Sequence, residues 1–128
     1  MTISEETGWL NDEDAALPED LPEPMYWRLL VMPVRPRKVS RGGILIAESA
    51  MEAEGHLNYI GKVVAMGGCC GKHKKYEGET KEVKVGSWVI YSRYAGQRIE
   101  YKGVKLLFIN DDEVLALAKG PEDFRIHI

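Results

Sequence analysis

Residues 97–118 read QRIEYKGVKLLFINDDEVLALA, and this stretch decides the fold class. Its first part alternates Ile99 and Tyr101 with polar neighbours, which is the period of a strand with one buried face. A Lys-Gly pair at 102–103 separates this part from a second apolar run at hairpin spacing. The acidic residues that follow are a turn signal, and a last apolar run ends the stretch. These residues predict three consecutive strands joined by tight turns.

The same organisation extends upstream. Apolar segments at Met25–Val34 and Tyr59–Met66 read as strands, and Glu82–Val85 leads into a further strand at Trp88–Tyr91. Many short strands separated by regularly spaced turn residues indicate a small barrel or sandwich. We therefore predict an all-β domain.

Charge divides the chain into segments. Residues 1–24 hold eight acidic residues and no Lys or Arg, whereas the other 104 hold 12 acidic and 17 basic residues. Such an acidic, Pro-containing segment buries too little apolar surface to offset its ordering entropy, so we predict a flexible N-terminal extension over 1–24. Docking of its bulky apolar pair, Trp9 and Leu10, is the alternative to this solvated tail. The domain then spans 25–118, and 119–128 form a C-terminal extension whose alternating apolar residues favour either an added strand or a contact with a neighbouring subunit.

Several classes of protein are disfavoured. The longest apolar runs have four or five residues, whereas a transmembrane helix needs about 20. Cys69 and Cys70 are adjacent, with Cα atoms about 3.8 Å apart, below the usual disulfide range of about 4.4–6.8 Å. Free thiols indicate a reducing, cytoplasmic compartment. No Ser, His or acidic group stands at a catalytic spacing, so we expect neither an enzyme nor a cofactor.

The segment 34–58 is long for a connection within a compact domain. It contains a basic stretch at Arg35–Arg41, the pair Gly42-Gly43 and the aliphatic triplet Ile44-Leu45-Ile46. Two interpretations remain open from the residues alone. The triplet is either another core strand or an exposed hook for a partner.

A second unusual segment, 67–80, is rich in Gly and Lys. No helical pattern follows its glycines, which argues against a phosphate-binding loop. Cys69, Cys70 and His73 are fewer than the four spaced ligands of a structural zinc site, so no metal site is expected. The default is a solvated loop. A small nucleic-acid-binding barrel that uses Lys72–Lys75 and Arg35–Arg41 remains an alternative, and a viral scaffold component is another.

Taken in order, these pieces resemble the small co-chaperonin family of the GroES type. The resemblance covers about residues 24–118 and includes a mobile-loop signature of paired glycines followed by three aliphatic residues. The matching segments are Pro24–Val31, Gly42–Ile46, Gly61–Gly67, Val83–Tyr91, Tyr94–Gly96 and Asp111–Ala116.

The resemblance implies an irregular small β-barrel with a mobile loop at about 34–58 and a roof hairpin at about 67–80. It implies a heptameric ring that caps an ATP-driven group I chaperonin in the cytoplasm and encloses an unfolded client. Ile44, Leu45 and Ile46 would bind the chaperonin's apical domain, with Gly42 and Gly43 as the hinge. No catalytic residue, cofactor, metal or membrane is implied, and nucleic acid is not expected as a partner.

The segments outside 24–118 depart from the family pattern. Such elaborations are similar to those of bacteriophage-encoded co-chaperonins. Phage origin, with a capsid protein as the client in the host cytoplasm, is therefore a hypothesis.

Overall fold

Eight strands form two sheets in the part of the chain that the computed structural model describes, which is residues 10–11, 15–34, 37–39, 58–92, 94–121 and 125–127. The strands are β1 (Arg28–Val34), β2 (Arg37–Val39), β3 (Asn58–Met66), β4 (Trp88–Ser92), β5 (Gln97–Tyr101), β6 (Val104–Asn110), β7 (Val114–Ala118) and β8 (Arg125–His127). Two 3₁₀ helices, Lys74–Tyr76 and Asp111–Glu113, complete the regular structure of these residues. The all-β prediction is confirmed.

Six strands pair antiparallel in the order β5-β6-β1-β3-β4-β7, so β5 and β7 form the two edges of this sheet. The β5–β6 hairpin has the predicted bounds at β5. At its turn, Lys102 and Gly103 have φ angles of 52° and 83°. Positive φ at both central residues is the geometry of a type I′ turn, whose twist matches that of the flanking strands.

The main core lies on one face of this curled sheet. It combines alternate residues of four strands with one residue from the N-terminal segment: Leu10, Leu29, Val31, Tyr59, Val63, Val89, Tyr91, Leu107 and Ile109. The opposite face of β1 and β6 forms a second buried cluster of Leu30, Met32, Val104 and Leu106. Because β1 is covered on both sides, it is apolar along nearly its whole length rather than alternating.

The N-terminal segment differs from the predicted solvated tail at the residues that the structure describes. Leu10 is 1% exposed in the main core, and Asn11 is 6% exposed. Ala15 and Leu21 pack against the second cluster. We call residues 10–11 and 15–21 the N-terminal strap. Apolar burial at Leu10 outweighs the tendency of the surrounding acidic residues to remain in water.

Two connecting segments contain no strand. Glu82–Val85, which leads into β4, includes the first residue of a turn, and Val85 is 62% exposed. The segment Gly67–Thr80, where the roof hairpin is expected, belongs to the long connection between the paired antiparallel strands β3 and β4, and residues 67–87 contain turns and a 3₁₀ helix. Its glycines and charged residues provide few apolar or β-branched side chains for strand pairing. No helix among the described residues is long and apolar enough to cross a membrane.

Candidate functional site

The predicted binding loop begins and ends on neighbouring strands. Val34, the last residue of β1, pairs with Ile60 near the start of β3. The intervening chain therefore leaves and re-enters the sheet at one place. Within it, β2 pairs in parallel with β8. The predicted triplet Ile44–Ile46 lies outside the described residues, as does its hinge, Gly42-Gly43, so both assignments stay predictions.

A second feature is the segment from Gly67 to Thr80, which we call the roof loop. Its conformation depends on one carboxylate of the turn between β6 and β7. Asp111 accepts hydrogen bonds from the Gly71 N–H (2.9 Å, to Oδ2) and from the Tyr76 hydroxyl (2.7 Å, to Oδ1). The Asp111 N–H donates to the Trp27 carbonyl oxygen at 2.9 Å. Asp111 thus ties together the roof loop, the turn before β1 and the β6–β7 turn.

The environment of Tyr76 keeps its hydroxyl protonated. Loss of hydration, followed by the hydrogen bond to Asp111, raises the pKa of Tyr76 well above its ordinary value. The hydroxyl therefore remains a donor to Asp111 over the whole neutral range. Next to it, Lys75 Nζ lies 2.7 Å from Asp112 Oδ2, with both side chains about half exposed. An exposed pair of this kind contributes only about 0–1 kcal/mol, so the Asp111 contacts are the stronger anchor.

A groove of about 540 Å³ lies between the roof loop and β7. Leu29, Met66 and Cys70 are among its lining residues, together with Tyr76 from the roof loop and Leu117 from β7. The groove therefore joins the main core to an edge strand of the sheet.

Among the described residues, neighbouring large apolar side chains are exposed together in the turn before β1 and on β7. Met25, Tyr26 and Trp27, in the turn before β1, are 57%, 54% and 47% exposed, and the two aromatic rings lie 6.1 Å apart. On the edge strand β7, Leu115 is 62% and Leu117 38% exposed. Clusters of exposed apolar side chains are typical of surfaces that contact another protein.

The adjacent cysteines are free thiols, as expected. The Cys70 thiol lies within 3.4 Å of the Arg28 carbonyl oxygen and 3.7 Å of that of Tyr26. Burial raises the pKa of this thiol, which disfavours the reactive thiolate. Within the described ranges, no three His, Cys, Asp or Glu side chains converge to form a candidate metal site.

Some of these residues were not found by sequence reasoning. The sequence marks Asp111 only as part of an acidic turn, and no local pattern singles out Tyr76. Asn11 was not singled out at all. For Asp111 the signal would have been the family motif that contains it, whereas no local pattern marks the contacts of Asn11.

Comparison with a sequence model of a protein family and comparison with individual proteins identify the same family. The sequence model described as Chaperonin 10 Kd subunit (Cpn10) matches residues 22–118. A protein named Co-chaperonin GroES from Rickettsia akari is 33% identical to this chain over 95 residues, and those from Rickettsia felis and Rickettsia rickettsii are each 32% identical over 95 residues. Each alignment covers 74% of this chain and 95% of the relative. Neither the family match nor these relatives support the phage, nucleic-acid or scaffold alternatives.

Proposed function

Since this chain belongs to the Cpn10 family and is a co-chaperonin, we propose that it forms a heptameric ring that caps a group I chaperonin. The ring encloses an unfolded client protein in the cytoplasm. The family match over residues 22–118 carries this proposal, because it includes both the loop that would dock on the chaperonin and the strands that support it. The chain needs neither a cofactor nor catalytic chemistry of its own for this role.

Ring assembly is supported by the two exposed apolar surfaces. The turn at Met25–Trp27 and the edge strand β7 are two different segments of one subunit, and each exposes apolar side chains. A contact between two unlike surfaces is head-to-tail, and repetition of such a contact closes a ring when the rotation permits. The number of seven subunits comes from the family resemblance alone.

In this proposal Ile44, Leu45 and Ile46 of this chain dock on the apical domain of the chaperonin, with Gly42 and Gly43 as the hinge. Burying three aliphatic side chains provides at most about 1.5–3 kcal/mol each. Ordering the backbone of a free loop opposes this by about 1–2 kcal/mol per residue. A single loop therefore binds weakly, whereas several loops on one ring raise the avidity by about 10²–10⁴. Weak individual contacts also allow the ring to leave when the chaperonin changes its surface.

Co-elution with a bacterial chaperonin, with and without ATP, tests this proposal. The test variant carries Ile44→Ser, Leu45→Ser and Ile46→Ser. Val85→Ser is the matched control, because Val85 is apolar and 62% exposed but lies outside the loop. Native mass spectrometry gives the number of subunits in each variant.

We expect ATP-dependent binding of the wild type and of the control, and loss of binding in the triple variant with the ring intact. Binding that survives the triple substitution would place the contact elsewhere. A well-folded wild type that binds no chaperonin under either condition would refute the capping role.

A further inference from the structure

Both terminal extensions of this chain reach the same part of the fold, the start of the predicted binding loop. The family match ends at residues 22 and 118, so the N-terminal strap and β8 lie outside it. The strap contacts Pro33 and Val34 at the end of β1, and β8 pairs with β2 at Arg37–Val39. We call residues 33–34 and 37–39 the loop stem. The predicted binding triplet begins five residues after the stem.

The N-terminal contact fills a gap in the sheet. The β1–β6 ladder runs from Arg28↔Asn110 to Val31↔Leu107. If the register continued, Pro33 would stand opposite Lys105, but proline has no N–H to donate. The two strands therefore cannot form the next pair of ladder hydrogen bonds at this position.

The side chain of Asn11 supplies the missing hydrogen bonds. Its Nδ2 donates to the Pro33 and Lys105 carbonyl oxygens, both at 2.7 Å, and its Oδ1 accepts from the Lys105 N–H at 2.9 Å. The Asn11 N–H donates to the Pro33 carbonyl oxygen at 3.0 Å, and the residue forms a parallel bridge with Val34. Asn11 is 6% exposed and the preceding Leu10 is 1% exposed in the core, so these bonds are shielded from water. Shielded hydrogen bonds of a fixed amide hold the first half of the stem in place.

The C-terminal contact holds the second half. The backbone of β8 pairs in parallel with β2, with Arg37 opposite Arg125, Lys38 opposite Ile126 and Val39 opposite His127. Each extension therefore contacts a different half of the stem: the strap contacts residues 33–34, and β8 contacts residues 37–39.

We infer that the two extensions hold the loop stem in place before the chaperonin binds, and that they thereby strengthen the binding of the loop to the chaperonin. This inference rests on the proposed function. A backbone residue that is already ordered adds no further entropy loss on binding, and such pre-organisation raises affinity. Asn11 is thus a positioning residue that acts through Pro33 and Val34 and does not itself contact the partner.

The test compares two variants that release one half of the stem each. Asn11→Asp is nearly isosteric, but it removes both Nδ2 donors and directs an oxygen at two carbonyl oxygens. Truncation after Pro121 removes β8 and leaves the main sheet complete. Asp20→Asn is the control, because Asp20 belongs to the same strap but pairs with Lys102 and Tyr101 at the β5–β6 turn and not with the stem. Thermal melting identifies any variant that fails to fold.

Two readouts separate this inference from the proposed function. Hydrogen–deuterium exchange of peptides that span residues 30–39 is measured on the free protein, without a chaperonin. Affinity for the chaperonin with ATP is measured on the same samples. We expect faster exchange and about tenfold weaker affinity in each test variant, which corresponds to about one more backbone residue to be ordered on binding. The control should match the wild type in both readouts.

Other results overturn the inference. Unchanged exchange in both test variants would mean that the extensions do not hold the stem. Faster exchange with unchanged or tighter affinity would mean that stem order does not favour binding. If the wild type bound no chaperonin, the proposed function would fail together with the link to affinity, whereas the exchange data would still decide whether the extensions hold the stem. Because the truncation leaves the core intact, it keeps the test decisive even if Asn11→Asp does not fold.

Discussion

Replacing Leu10 with alanine should strongly destabilise the fold, although this residue lies in an acidic segment that reads as a solvated tail. Leu10 is 1% exposed and packs in the main core with residues such as Leu29 and Ile109. The substitution removes three buried carbon atoms, which at about 0.8 kcal/mol for each methylene corresponds to about 2.4 kcal/mol of lost transfer free energy. The cavity left behind adds to this, so we expect the free energy of unfolding to fall by about 2–5 kcal/mol.

Urea unfolding followed by fluorescence measures this change. Leu17→Ala is the matched control, since Leu17 belongs to the same strap but is 40% exposed, and its substitution should change stability by no more than about 0.5 kcal/mol. All variants are compared at one protomer concentration, because assembly shifts apparent stability by mass action. Equal effects of the two substitutions would refute the placement of Leu10 in the core.

Two further predictions concern residues of the main sheet. Gly96→Ala should lower the free energy of unfolding by more than about 2 kcal/mol, because Gly96 has φ +75° and an added Cβ would overlap the Phe108 carbonyl oxygen. The control is Gly103→Ala, where φ is +83° but the space around the residue is open. In the same urea titration it should lower the free energy of unfolding by only about 1–2 kcal/mol. Tyr91→Phe should raise stability at pH 7 by about 1 kcal/mol, because the buried hydroxyl has no hydrogen-bond partner within the described residues. Burial also raises the pKa of Tyr91 above the ordinary value of about 10, so the unfolded state loses this proton first and wild-type stability should fall as the pH rises above about 10. Urea titrations of the wild type and of Tyr91→Phe at pH 7 and above about pH 10 test this. The reasoning is contradicted if the variant is less stable than the wild type at pH 7, or if it loses as much stability as the wild type at the higher pH.

The parts of the fold that sequence predicted well are those set by local pattern. The β5–β6 hairpin follows from the alternation of Ile99 and Tyr101 and from a Lys-Gly pair that adopts the positive φ angles of its turn. Glu82–Val85 also contains β-branched residues, but there the chain makes a turn at Val85-Gly86, and hydrogen bonds to β3 begin only at Gly86 and Ser87. A local pattern indicates which residues favour a strand, and it does not indicate whether a partner strand is adjacent.

The candidate site was less accessible to sequence reasoning. The triplet Ile44–Ile46 was identified from a motif and remains a prediction outside the described residues. The role of Asp111 depends on Gly71 and Tyr76, which lie 40 and 35 residues away in sequence. Asn11 depends on a partner 94 residues away. Asp111 and Asn11 lie among acidic residues, a composition that indicates exposed charge. Their hydrogen-bond partners are distant in sequence and become neighbours only in the folded chain.

The distance between Asn11 and Lys105 along the chain also has a consequence for synthesis. The two residues are 94 positions apart, and a ribosome that adds about 5–20 residues per second needs about 5–20 seconds to make the intervening chain. During that interval the core around Leu10 is incomplete, since two of its members, Leu107 and Ile109, are made even later than Lys105. The seam between β1 and β6 therefore closes only after β6 has been made. Mutual repulsion among the eight acidic residues of 1–24 favours a hydrated N-terminal segment until β6 and its core residues have been made.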